Sequence, residues 1–332
     1  MVSFDPSTKS LLARHRQLAP NAAVRVSPLC LGTMTFGDRQ QDRYGEITKQ
    51  QAFEIMDTFY AQGGNFLDTA NSYQNGQSEE WIGEWMAATG NRDELVIATK
   101  YTSFYRGAHS NEIKSNFVGN NSKSLKLLND LVTAGKVLYL GISDCPAWIV
   151  SSANRYARDH GLRPFVIYQG KWNAAMRDFE RDIIPMCRAE GMALAPFGIP
   201  VSARDKQVSA VLEGLAEKKG CTLLQVALAY CLQKTPYVFP TVGGRKVEHI
   251  QGSIEGLAVQ LSEKEVDTIE AAYPFDHGFP HTFLSGTMFR GSDNLEQKQA
   301  EGPEDVFLLN ATAKFDWVAQ PSAIRPSQEV GK

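Results

Sequence analysis

Asn65 to Tyr73 reads NFLDTANSY, and Val96 to Tyr101 reads VIATKY. Each begins as a short apolar run of strand character and ends in polar groups, Asp68 and Tyr73 in the first and Lys100 in the second. Between them lies SEEWIGEWMAATG, an amphipathic helical stretch. Upstream, VSPLCLGTM is strand-like, and ITKQQAFEIMDTFYAQGG sets Phe53, Met56, Phe59 and Tyr60 at helical spacing before Gly63 and Gly64 end it. The order is βαβαβ, which demands a parallel sheet with helices packed outside it. A carboxylate, a phenol and an amine then meet at neighbouring strand ends. An ammonium beside a phenol favours its ionised form, and a carboxylate fixes the ammonium. Such a group can hand a proton to a developing alkoxide, as the reduction of a carbonyl requires.

Working outward, the alternation breaks over 102–126, a Ser-, Asn- and Gly-rich stretch that reads as loop. It resumes with a helix end at 127–136 and then VLYLGISD, PAWIVSSANRYARDHG, FVIYQGKW, RDFERDIIPMCRAEG, MALAPFG, helices over 208–219 and 222–233, YVFPTVG and KVEHIQGSIEGL. Seven strands are counted in all. Residues 1–25 read as an extended arm, 26–273 as the strand–helix domain and 274–332 as an irregular tail packing on it. In that tail Phe283, Phe289, Phe307 and Trp317 are the expected anchors.

With 332 residues, 43% hydrophobic and 21% charged, the chain can bury a sizeable core as one large barrel domain. A net charge of −3 and a pI near 6.1, without a basic run, leave no footprint for nucleic acid or anionic membrane. The expected partner is a small molecule. Five scattered cysteines with no CxxC spacing read as reduced core thiols of a cytoplasmic protein, not as a disulfide framework or metal site. There is no signal-peptide pattern and no apolar run near the roughly 18 residues a membrane span needs. There is no GxGxxG, which argues against a doubly wound dinucleotide fold, and neither a Tyr-x-x-x-Lys pair nor HExxH. Gly243-Gly244-Arg245-Lys246-Val247-Glu248 closes the last strand and opens a helix, where backbone N–H groups and two cations suit a phosphate.

Gly32-Thr33-Met34 in LCLGTMTFG, FLDTANSY, the strand ending in Lys100, GISD at 141–144 and YQGKWN at 168–173 occur in the order seen in aldo-keto reductases. The chain resembles that family from about Val26 onward, and most of all its fungal aryl-alcohol dehydrogenase and norsolorinic-acid-reductase-like branch. The resemblance implies a (β/α)8 barrel of the TIM type and an NADPH-dependent reductase of aldehydes or ketones, in fungal secondary metabolism of polyketide or meroterpenoid kind. It implies Tyr73 as general acid, Lys100 as the group that lowers its pKa and Asp68 as the group that holds Lys100. It implies cofactor contacts at Gly32, Thr33, Met34, Asp68, Ser143, Asp144 and Gln169, with Phe197 against the nicotinamide ring. Gly243, Arg245 and Lys246 would take the adenosine 2′-phosphate and Glu248 would face the adenine. No metal is implied.

Two departures stand out against the family. Eight strands are needed, and the fourth, with adjacent helix segments, is missing between Lys100 and Val137, a shortening of a few tens of residues. The family carries an active-site histidine on that strand; here only His109, in the substituted loop, is nearby. A second shortening falls at 199–207, where relatives have a Gly-rich loop over the pyrophosphate. The alternative expectation is therefore a catalytically impaired nucleotide-binding or auxiliary protein, or a gene model that has lost coding sequence.

Overall fold

The computed structural model describes residues 10–102, 124–198, 203–276 and 278. His109, Phe283, Phe289, Phe307 and Trp317 lie outside these residues. The first described segment differs from the expected arm. A 3-10 turn at Leu11–Ala13 leads into an antiparallel hairpin of β1 (Arg16–Ala19) and β2 (Ala22–Val26). The reason is apolar burial: Leu18, Ala19, Ala22 and Val26 pack on Cys30, Phe66, Val166, Ala193 and Phe239, all at or next to the starts of barrel strands. The hairpin thus plugs the N-terminal end of the barrel, an arrangement that the local sequence does not announce.

The wall consists of parallel strands. β3 (Cys30–Gly32) pairs with β4 (Phe66–Asp68), and β4 with β5 (Val96–Ala98). β6 (Leu140–Ser143) pairs with β7 (Phe165–Lys171), and β7 with β8 (Ala193–Phe197). β9 (Thr241–Val242) pairs with β3. The run into β9 joins the two groups through a parallel bridge between Leu194 and Val238, with Leu194 N–H donating to the Tyr237 carbonyl at 2.9 Å and Phe239 N–H to the Leu194 carbonyl at 2.8 Å. The order around the wall is β5-β4-β3-β9-β8-β7-β6. Among the described residues these are the seven strands expected from the sequence, and β5 and β6 stand at the two ends of that described wall. Burial agrees: β4 is buried at every residue, β5 is only half-buried, and Leu138 before β6 is 72% exposed.

Helices cover the outside: α1 (Gln41–Tyr44), α2 (Lys49–Ala61), α3 (Gln77–Thr89), α4 (Ser124–Thr133) and α5 (Ala147–Asp159). They continue as α6 (Ile183–Glu190), α7 (Ala203–Lys219), α8 (Leu223–Lys234), α9 (Val247–Glu255) and α10 (Glu263–Ala272). Reciprocal capping boxes start α2 (Thr48 with Gln51), α8 (Thr222 with Gln225) and α10 (Ser262 with Glu265), so these starts are written locally. Gly63, at φ 94°, turns the chain out of α2 in a conformation that costs a side-chain residue strain. One core packs Leu31 and Leu67 against Ile55, Met56, Phe59 and Trp85. A second packs Tyr168 and Leu194 against Trp172, Val226 and Tyr230. Each such large side chain contributes about 1.5–3 kcal/mol on burial. The strands are thereby held so that the ends of β4, β5 and β7 share one mouth.

Candidate active site

Asp68 ends β4 and Lys100 follows the end of β5, and the parallel register Asp68↔Ala98 sets the two side by side. Lys100 Nζ donates to Asp68 Oδ1 and Oδ2 at 2.7 and 2.8 Å, to the Thr69 carbonyl at 2.8 Å and to Tyr73 Oη at 3.1 Å. Its ammonium also lies 4.8 Å from the centre of the Tyr73 ring. Gln169 in β7 donates through Nε2 to Asp68 Oδ1 at 2.8 Å. The three catalytic candidates therefore form one contact group, and Gln169 joins it from the opposite wall.

Tyr73 is held by the turn that follows it. Gln74 is fully buried at φ 52° and Asn75 sits at φ 55°, backbone states that non-glycine residues adopt only under constraint. The constraint is a reciprocal clasp: Gln40 N–H donates to Gln74 Oε1 at 2.8 Å, and Gln74 N–H to Gln40 Oε1 at 3.1 Å. Gln74 Nε2 also reaches the Met34 carbonyl at 3.3 Å. The loop after β3 thus fixes the phenol that follows β4.

Burial, opposed by Lys100 and Gln169, raises the pKa of Asp68, which is 3% exposed. Lys100 keeps a quarter of its side chain exposed; burial works against its charge, but Asp68 and Tyr73 outweigh that and leave its pKa raised. Tyr73 is pushed up by burial and by Asp68, while Lys100 pulls it down. The direction of the lysine's influence is the one the sequence implied, but the net shift of the phenol is upward because burial dominates. The group holds a proton at Tyr73 Oη, next to a fixed cation that can stabilise the charge left when that proton departs.

The remaining candidates fall in three places. Thr33 is fully buried and donates to the Asp68 carbonyl through both N–H and Oγ1 at 2.9 Å, so it braces the end of β4. Gly32 lies in register with Asp68, and a Cβ there would sit 2.9 Å from Thr241; Met34 beyond it is 41% exposed. At the ends of β6 and β7, Ser143 Oγ donates to Asp144 Oδ2 at 3.1 Å, and Asp144 N–H, at φ 50°, donates to the Gln169 carbonyl at 3.1 Å. Phe197, at the end of β8, is 37% exposed. Gly243 approaches Gly32 closely, since a Cβ there would lie 3.1 Å from the Gly32 carbonyl. Arg245, Lys246 and Glu248 stand exposed at the start of α9, whose N-cap, Lys246, supplies no side-chain acceptor to the helix N–H groups. Among the described residues no hydrogen bond links this cluster to Asp68.

Other participants carried no side-chain signal. The Thr69 carbonyl accepts from Lys100, and any residue type offers a carbonyl. Asn71, inside the quoted stretch, joins the two loops by donating through N–H to the Lys100 carbonyl at 3.0 Å and through Nδ2 to the Tyr101 carbonyl at 3.2 Å. Thr69 Oγ1, Asn71 Oδ1 and Asn173 Nδ2 are buried without a hydrogen-bond partner at the ends of β4 and β7. Unpaired buried polar atoms are costly, and a polar ligand in the mouth would relieve them. These atoms, the exposed Ser143 and Asp144, and the uncapped cationic start of α9 fit a carboxamide-bearing dinucleotide phosphate. The described histidines lie elsewhere: His15 binds the Gly63 carbonyl, His160 stacks on Tyr156 and His249 abuts Gly244. All five cysteines are free, and among the described residues no three His, Cys, Asp or Glu side chains gather as a metal site would need. No described helix is long and apolar enough to cross a membrane.

Comparison with known proteins agrees with this geometry. The family model described as "Aldo/keto reductase family" matches residues 28–126 and 121–274, two pieces that meet at the end of the stretch where the sequence alternation lapses. The chain is 54% identical to norsolorinic acid reductase B of Dothistroma septosporum over 383 aligned positions, covering 97% of each chain. It is 41% identical to the aryl-alcohol dehydrogenase [NADP(+)] of Phanerodontia chrysosporium, covering 98% of each. Because 383 positions exceed the 332 residues here by 51, at least 51 residues of the Dothistroma relative face no residue of this chain. The crystal structure of the thermostable aldo-keto reductase Tm1743 with the inhibitor epalrestat superposes with a TM-score of 0.63 at 23% identity, over 78% of this chain and 99% of that one. That likeness shows a shared barrel fold.

Proposed function

The chain belongs to the aldo/keto reductase family, an oxidoreductase family acting on carbonyl and alcohol groups, and from that premise we propose an NADPH-dependent reductase of an aldehyde or ketone. The observation that carries the reading is the contact group of Asp68, Lys100 and Tyr73 at the mouth. The cofactor, when bound, supplies hydride to the substrate carbon. Tyr73 Oη gives its proton to the carbonyl oxygen as negative charge grows there. Lys100 Nζ, 3.1 Å from Tyr73 Oη, stabilises the phenolate, and Asp68 keeps Lys100 charged and in place. Ser143, Asp144 and Gln169 stand where they can orient a carboxamide, and Phe197 where it can cover a flat ring. Arg245 and Lys246 at the start of α9 suit a 2′-phosphate, which favours NADPH over NADH. The names of the relatives, norsolorinic acid reductase and aryl-alcohol dehydrogenase, point to an aromatic or polyketide-derived carbonyl substrate.

A second reading rests on the described wall. Among the described residues β5 and β6 stand at its ends and no histidine lies at the group, which suits a nucleotide-binding protein of impaired turnover. Titrating the protein with NADPH by tryptophan fluorescence, then offering aromatic aldehydes, separates the two. Saturable binding weakened by Arg245→Ala with Lys246→Ala, followed by turnover lost in Tyr73→Phe, supports the reductase. Binding without turnover on any aldehyde supports the second reading, and a folded protein that ignores NADPH refutes both.

A further inference from the structure

We propose that Gln169 is a positioning residue that, by giving Asp68 a donor of its own from across the barrel, releases a Lys100 proton for Tyr73. The inference rests on Tyr73 being the proton donor. An ammonium has three N–H donors. Lys100 Nζ has four acceptors within 3.1 Å: both oxygens of Asp68, the Thr69 carbonyl and Tyr73 Oη. It cannot serve all four fully at once, and Tyr73 is the farthest.

Gln169 changes that competition. It lies in β7, which is separated from β4 along the wall by β3, β9 and β8, so its contact with Asp68 Oδ1 at 2.8 Å spans the interior. The Asp68 side chain is 5% exposed, so water does little for it, and its demand falls on Lys100 and Gln169. Oδ1 accepts from Gln169 at 2.8 Å and from Lys100 at 2.7 Å together, so the amide shares the demand of that oxygen on the ammonium and leaves Lys100 a proton within reach of the phenol. Without Gln169, the whole demand of Oδ1 falls on Lys100. The β7 backbone keeps the amide in place: Gln169 is in register with Ser143 and Ala195, and its carbonyl accepts from Asp144 N–H. The titratable groups that act on or touch Asp68 are Lys100 after β5, Tyr73 after β4 and Cys30 in β3; none replaces the neutral amide as a donor from β7.

The test uses the full chain, free of cofactor, labelled with 13C at Asp Cγ and Tyr Cζ, with Asp68→Asn and Tyr73→Phe identifying the two resonances. In Gln169→Met the Asp68 midpoint should move upward, and the Tyr73 resonance should be displaced at neutral pH. Gln169→Leu, which is uncharged and of similar size and removes the donor, should move both the same way and serves if the Met variant fails to fold. Either resonance unmoved in a folded variant would overturn the proposal. Loss of NADPH affinity with both resonances unmoved would assign the amide to the cofactor instead. Because no turnover is measured, the result stands apart from the reductase reading. That reading would fall if Tyr73→Phe kept full activity, whatever the titration shows.

Discussion

Two buried clusters in this molecule contain the same chemical groups and have opposite characters. One is Asp68, Lys100 and Tyr73 at the mouth. The other joins Arg177, Glu180, Tyr230, Lys234 and Glu270 between the turn before α6, α8 and α10. There Arg177 makes a bidentate pair with Glu180 at 2.9 and 2.7 Å and reaches Glu270 at 3.0 Å. Lys234 also pairs with Glu270, and the Tyr230 hydroxyl lies 3.2 and 3.1 Å from the two carboxylates. Two cations balance two anions, and Tyr230 is fully buried. Burial and then the two carboxylates raise its pKa well above the ordinary value. Tyr230 gives its hydrogen bond to anions, whereas Tyr73 accepts one from a cation. Composition does not make a site; which partner the phenol faces, and whether its oxygen can be reached, does.

The largest expected effect comes from exchanging the phenols for Phe. Tyr73→Phe should lower carbonyl reduction by about 10²- to 10⁴-fold, the usual contribution of a positioned acid, while NADPH affinity is kept. Tyr230→Phe should leave turnover intact and cost about 1–3 kcal/mol of stability, since two buried carboxylates lose a donor; steady-state kinetics beside urea unfolding separates them. Arg177→Met leaves Glu180 and Glu270 without their guanidinium, and removing one partner of a buried pair costs about 3–5 kcal/mol, seen as a lower urea midpoint.

The acid limb of stability should split the clusters by sign. Despite burial, Arg177 and Lys234 hold the pKa of Glu180 below its ordinary value. The unfolded chain therefore takes the proton first. The stabilisation from Glu180 is complete above about pH 4.3 and is lost as pH falls through the folded pKa. Asp68 has its pKa raised, so the native state takes the proton first, and acidification through that folded pKa favours folding. Across Tm against pH, Glu180→Gln should flatten the acid limb and Asp68→Asn should steepen it; the same sign for both would break the contrast. The smallest effect belongs to Tyr44, whose push on the pKa of Tyr73 ranks last among its causes. Tyr44→Phe should change turnover by no more than about twofold, about 0.5 kcal/mol.

Much of the mouth was legible because its residues sit at strand ends, where period-two runs give way to polar groups. Asp68, Lys100 and Tyr73 could be paired from the βαβαβ order, since parallel neighbours bring their C-terminal ends together. The sequence also lapses from its alternation between Lys100 and Val137, and among the described residues β5 and β6 each have a strand neighbour on one side alone. Other contacts gave no such signal. Gln169 reads as one more polar strand end, and its reach to Asp68 spans 101 residues of sequence. The Gln40–Gln74 clasp and the Thr69 carbonyl have no motif, because backbone groups are common to all residues. The N-terminal hairpin was missed because short apolar residues such as Ala19 and Ala22 gain their meaning only from the strand starts they plug.

By itself the sequence determined the alternation of strands and helices, the helix starts written in capping boxes and the kinds of groups at each strand end. These are local properties, set by periodicity and by residues within a turn of one another. The tertiary structure alone decided that Tyr73 faces an ammonium while Tyr230 faces carboxylates, that Asp68 is shielded from water, and that an amide from β7 shares its charge. Those outcomes depend on distance through space and on burial, and both arise only when the wall curves and its opposite strands face each other.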